Sequence, residues 1–251
     1  MRRFNLGHSE VLSWPMTQAQ LDGLGQTLLV SPRVGNAHGY SPMSEATFIY
    51  QVEQLPQLRE EVEAGVWSDW WWEEHHGSAE LSPILQKYLK LSTRRPGKCA
   101  DTVRMDHPFD IWDIVIAPYA MDEGIEPATP NAHEGIDFVE SVIRRSSAHA
   151  MIATGLDKAF DVKYAFGQCR PVEYYDCGLQ RYGTPTHGES PAGHGAFSGA
   201  GSKAFETLYN ATPQQIADVQ YATKQFAQFR SLSAMHVPFS NMLGWTIGYE
   251  A

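Results

Sequence analysis

The chain of 251 residues is 43% hydrophobic with a mean hydropathy of -0.34, which suits one soluble core and a single domain over residues 1–251. Its 29 acidic residues against 19 basic ones leave a formal net charge of -10, which argues against nucleic acid and against an anionic membrane surface as the main partner. No run approaches the ~18 apolar residues of a membrane span, so no transmembrane helix is expected.

The N-terminus, Met1-Arg2-Arg3-Phe4-Asn5-Leu6, is basic but has no apolar segment behind it. It does not read as a signal peptide, and a cytoplasmic location is the expectation. Cys99, Cys169 and Cys177 do not make a disulfide framework and read as free thiols in a reducing compartment. A helix is expected around 17–30, then a Gly, Pro and Asn loop over 31–42, then helical patterns near 44–64, 66–76 and 79–92. Residues 93–108 are basic and turn-rich, and 122–133 read as a long loop. From about 134 the pattern is helical to near Gly167. Residues 171–193 form a Gly/Pro/Tyr-rich loop, and helices are expected near 194–209, 213–235 and 239–249. No β alternation is visible, so the fold class is all-α, with the N-terminal 1–130 a helical and loop-rich support region.

The aromatic run Trp67…Trp70-Trp71-Trp72, followed by His75-His76, reads as core or contact surface. Adjacent histidines lack the i, i+4 spacing of a helical zinc site.

Three stretches in the last third carry fixed charge and imidazole. Lys163 and Arg170 are two helical turns apart, on one expected helix face, and Pro171 biases Arg170 out of the helix. By themselves they are compatible with a solvated basic face at a helix C-terminus. Next comes Ser190-Pro191-Ala192-Gly193-His194, a turn into a Gly/Ala/Ser helix whose first N–H groups suit an anion. A plain turn into a close-packed core helix explains it equally well when taken alone. The third stretch lies on a helix with Thr212 as N-cap, Pro213 at N1 and Gln215 completing a capping box. Its apolar stripe, Ile216, Val219 and Phe226, runs on to Arg230. No acidic residue lies between Gln220 and Tyr249 to pair with that arginine, so an external anion is a natural partner. His236 is off this stripe, but Pro238 disfavours a helical Val237, and a bend there aims His236 inward.

In this order the residues resemble the signature shared by type 2 phosphatidic acid phosphatases, bacterial class A acid phosphatases and vanadium-dependent haloperoxidases. That signature is Lys-x6-Arg-Pro, then Pro-Ser-Gly-His, then Ser-Arg-x5-His. The matching residues are Lys163, Arg170, Pro171, Pro191, Gly193, His194, Arg230 and His236, and Gly244-Trp245 looks like the closing helix. The resemblance covers about 160–249, is nearest to the bromoperoxidases, and implies a helical bundle of the acid phosphatase/haloperoxidase type.

The resemblance implies that His236 bonds the central atom, as nucleophile in a phosphatase or as the vanadium ligand in a haloperoxidase. Lys163, Arg170, Arg230 and the Gly193 N–H would hold the oxyanion's oxygens, and His194 would be the general acid–base. Lys163 would also hydrogen-bond the bound peroxide. His187, seven before His194, stands where the bromoperoxidases carry a second histidine; the plain reading is a surface loop histidine. Three positions depart from the pattern. Ala192 stands in place of serine and Phe229 in place of the serine before the arginine. Ser240 stands where many members have the aspartate that orients the bonding histidine, and this tilts the expectation away from phosphatase.

The expected function is therefore a vanadium-dependent haloperoxidase-like enzyme, with vanadate as cofactor and hydrogen peroxide with bromide or iodide as substrates. The alternatives are a soluble phosphomonoesterase acting on a small phosphate ester, and a catalytically lapsed member kept as a binding or assembly module. Homo-oligomerisation is left open.

Overall fold

A computed structural model of the chain describes residues 45–65, 85, 107–128, 137–171, 187–232 and 235–251. The expected helices at 17–30 and 66–76, most of 79–92, the tryptophan–histidine run, Cys99 and Cys177 lie outside the described residues, as does the Phe229 side chain. Among the described residues the protein is mostly helical and has no strand, so the all-α expectation holds. No helix among them is long and apolar enough to cross a membrane.

The elements are α1 (Glu45–Gly65), a π-helical segment (Ile111–Ile116) that continues into α2 (Ala117–Asp122), α3 (Asp137–Phe166), α4 (Gly193–Leu208), α5 (Pro213–Leu232) and α6 (Pro238–Tyr249). Most expected helices appear within a few residues of their expected bounds. The π-helix and α2 were not anticipated. Yet their buried face, Trp112, Val115, Ile116, Tyr119 and Ala120, recurs at the three- and four-residue spacing of a helix, so this stripe was legible in the sequence.

The capping box that opens α5 forms as expected: Thr212 N–H donates to Gln215 Oε1 at 2.9 Å and Gln215 N–H to Thr212 Oγ1 at 3.3 Å. Ile216, Val219 and Phe226 then pack in the core. The α3 terminus falls where expected, near Gly167, but the shared Lys163 and Arg170 helix face does not form. Gly167 takes φ +58° and accepts the left-handed cap that a side chain resists, while its N–H closes onto Lys163 O at 3.0 Å. The helix therefore stops at Phe166, and Lys163 and Arg170 do not share a helix face.

Helix α4 is central, packed against α3, α5, α6 and the π-helix. Its residues from Gly195 to Ser202 are all buried. It meets α6 backbone to backbone: a Cβ on Gly195 or Gly199 would overlap the carbonyl oxygen of Asn241 or Trp245, and one on Gly244 or Gly248 that of Ala192 or Ala196. Ala192 N–H donates to Ser240 O at 2.9 Å, which ties the start of α4 to the start of α6. Two N-termini are thus held side by side, and both carry site residues.

Candidate active site

His236 is the hub. It lies in the bend between α5 and α6, where Val237 is extended (φ -87°, ψ 158°) and Pro238 opens α6. Buried amides fix this bend. Gln228 Nε2 donates to Pro238 O at 3.1 Å, Asn241 Nδ2 to Ser231 Oγ at 2.8 Å, and Phe239 N–H to Gln51 Oε1 of α1 at 3.0 Å. The expected inward aim of His236 is what results: the side chain is only 5% exposed.

Lys163, Arg170, Arg230 and His194 all stand near enough to His236 for their charge to act on its ring. Burial first, and then these neighbours, hold its pKa well below the usual imidazole value, so the ring is neutral. Its Nδ1 faces Glu189 Oε1 at 3.3 Å. With Nδ1–H given to that carboxylate, Nε2 carries the lone pair, as a nucleophile or a metal ligand requires.

Glu189 is the residue that sequence reasoning missed, and it corrects one expectation. Ser240 does not leave His236 without a carboxylate. Its hydroxyl donates to Glu189 Oε2 at 2.6 Å, and Val237 N–H donates to Glu189 Oε1 at 2.9 Å. The supporting carboxylate therefore arrives from the loop before α4 and not from α6. Glu189 is fully buried, and burial lifts its pKa to about 7 against the pull of Ser240, Val237 N–H, Lys163 and Arg170. The signal was present in His187-Gly188-Glu189, an acidic residue inside a motif segment.

The two cations of the first stretch enter from different elements. Lys163, on the last turn of α3, donates to Gly188 O at 2.9 Å and Glu189 O at 3.0 Å. Burial lowers its pKa to about 7; Glu189 opposes this and Arg170 adds to it. Arg170, past the helix end and 2% exposed, donates to Met235 O at 2.9 Å and to His187 O at 3.3 Å. It thereby clamps the loop before α4 to the bend that holds His236. An ammonium has three donors, so Lys163 keeps one after its two bonds.

His187 is in the cluster and half-buried, not on a surface loop. Its Nδ1 lies 3.1 Å from Arg170 Nη2, and its ring packs edge-on to Phe160. Burial holds its pKa down, against the Gly188 carbonyl and together with Lys163 and Arg170.

Gly193 opens α4, with Ala192 as N-cap. Ala192 makes no side-chain cap hydrogen bond to this turn, and a helix N-terminus is a place that suits an anion. In the same turn, Ser190 is fully buried and its hydroxyl makes no hydrogen bond. A donor of this kind suits a polar ligand, and it lies two residues before the N-cap of α4. His194, in the first turn of α4, rests on Phe197 and Phe226 with ring centroids at 4.8 and 6.2 Å.

All the residues chosen from the sequence thus fall in one region where α3, α4, α5 and the bend meet. Cations, a histidine in the bend, a histidine in the first turn of α4 and a helix N-terminus suit an oxyanion. Among the described residues no cluster of His, Cys, Asp and Glu suits a metal cation.

Comparison with known protein families, curated proteins and solved structures finds no match to this chain.

Proposed function

We propose that this protein is a vanadium-dependent haloperoxidase-like enzyme built on a helical bundle of the acid phosphatase/haloperoxidase type. The reading rests on the sequence resemblance together with one observation: a neutral His236, backed by Glu189, ringed by Lys163, Arg170, Arg230 and His194. The donor set fits a vanadate anion, since the His236 imidazole would hold the central atom and the cations with N–H groups would hold the oxygens. Bound vanadate would supply Lewis acidity toward hydrogen peroxide without a change in its own oxidation state.

The chain's own residues do the rest. Arg170, Arg230 and the Gly193 N–H balance the anion's charge. Glu189 holds the His236 tautomer. Lys163, with its lowered pKa, is poised to share a proton with the peroxide, and His194 takes a proton from it. Hydrogen peroxide, bromide or iodide and a proton then give a hypohalous acid and water. The place of His187 beside Arg170 favours this reading over a plain phosphatase, as the bromoperoxidase resemblance implies. Orthovanadate added to the protein should bring peroxide-dependent bromination of a phenolic acceptor, lost in His236→Ala with helicity intact. Absence of vanadate-dependent turnover in folded protein would sink it.

A second reading is favoured by the Glu189–His236 pair, because a carboxylate-backed imidazole is also an activated nucleophile. His236 Nε2 would attack phosphorus of a small phosphate ester as the ester P–O bond breaks, with His194 protonating the leaving alkoxide. Water, deprotonated by His194, would then cleave the phosphohistidine. Hydrolysis of phenyl phosphate without peroxide, inhibited by vanadate, would mark this chemistry.

A further inference from the structure

A cleft of about 230 Å³ opens beside the site, lined by Pro108, Phe109, Ala153, Leu156, Asp157 and Phe160. Its walls are almost wholly apolar. Four of them, Ala153, Leu156, Asp157 and Phe160, recur at the three- and four-residue spacing that lines up one face of α3. Lys163 follows on the next turn of the same helix.

Two walls are shared with the oxyanion site. Leu156 Cδ1 lies 3.5 Å from where a Cβ on Gly193 would stand, so it covers the start of α4. Phe160 meets the His187 ring edge-on at 5.1 Å, and Lys163 Nζ sits 5.9 Å from the Phe160 ring centre. The opposite wall is rigid: Phe109 stacks flat on His149 at 4.3 Å. His149 is itself pinned by Asp113 at 3.2 Å, and Asp113 is gripped by Arg145.

The volume indicates the size of the guest. An apolar cavity of ~150 Å³ lined by Leu, Ile and Phe is enough to take up benzene. Drug-sized ligands need roughly 300 Å³ or more. A single ring fits, and Phe109 and Phe160 offer it aromatic partners at both ends.

We propose that this cleft is a subsite for a single aromatic ring, held next to the oxyanion site so that an aryl compound is the organic substrate. The inference rests on the oxyanion reading above. The ring belongs either to an aryl phosphate ester or to an aromatic acceptor of the oxidised halide, and the cleft serves both by the same contacts.

Calorimetric titration with inorganic phosphate, methylphosphonate and phenylphosphonate separates the two claims. Phenylphosphonate should bind at least tenfold tighter than methylphosphonate. Ala153→Trp, at an exposed position of the cleft rim, should erase that advantage and leave phosphate affinity within twofold. Asp157→Phe, also exposed, serves as a second variant should Ala153→Trp unfold the protein. Equal binding of the two phosphonates, with phosphate still bound, would overturn the aromatic subsite and leave the oxyanion site standing. An aromatic advantage unmoved by both variants would overturn it too. If phosphate, vanadate and both phosphonates fail to bind folded protein, the oxyanion reading falls and this inference falls with it. Phenyl phosphate hydrolysis would identify the ester as the source of the ring, and vanadate-dependent bromination of phenol the acceptor; either rate should drop in the same variants.

Discussion

Glu189 Oε1 lies 3.3 Å from His236 Nδ1 across 47 residues of sequence, and the same oxygen accepts the N–H of Val237 at 2.9 Å. One carboxylate thus sets the tautomer of the site histidine and holds the N-cap residue of the helix that follows it.

Glu189→Gln should weaken vanadate binding or turnover by about 10- to 100-fold, the usual cost of losing a partner that orients a ligating histidine. The amide keeps the acceptor for Val237, so the fold should survive. Titration of the variant with orthovanadate, read against helicity, tests this; an unchanged affinity would remove Glu189 from the site.

The same variant has a pH signature. Burial raises the Glu189 pKa from 4.5 to about 7, so the folded protein holds this proton more tightly than the unfolded chain. The stability this contributes is full below pH 4.5 and is lost as pH rises to about 7. Thermal midpoints of Glu189→Gln relative to the parent should therefore move in favour of the variant across that interval. A constant difference would show that Glu189 titrates normally.

Ser190→Ala should leave ligand-free stability unchanged or raise it by about 1 kcal/mol, because the buried hydroxyl has no hydrogen bond to lose. Phosphate or vanadate affinity should fall about tenfold if this hydroxyl donates to the oxyanion. Thermal melts with calorimetry on one preparation measure both. Full affinity in the variant would leave Ser190 a bystander.

Gly199→Ala should destabilise by about 3 kcal/mol or more, since its Cβ would overlap the Trp245 carbonyl oxygen and push α4 off α6. Gly201→Ala meets only the side chains of Ile111 and Ile116 at 3.1 Å, which can shift. The better helix propensity of alanine, about 1 kcal/mol, should offset that crowding. Chemical unfolding of the two variants gives the contrast, and equal losses would disprove the close helix contact.

The sequence by itself determined the local facts: the capping box of α5, most of the helices, and the residues Lys163, Arg170, Gly193, His194, Arg230 and His236. Each is legible because its signal is short-range: a periodic stripe, a turn residue, a fixed spacing within one segment. The expected burial of Arg230 on the apolar stripe of α5 is only partial: the residue is half-buried. The tertiary structure decided what depended on where distant segments lie. Gly167 ends α3 with a left-handed cap, so Arg170 reaches the site from outside the helix. Glu189 meets both Ser240 and His236 because the glycine pairs let α4 and α6 start side by side. The aromatic cleft exists only where α3 faces Phe109. Partners separated by tens of residues leave no period or spacing in a single chain, so only packing brings them into view.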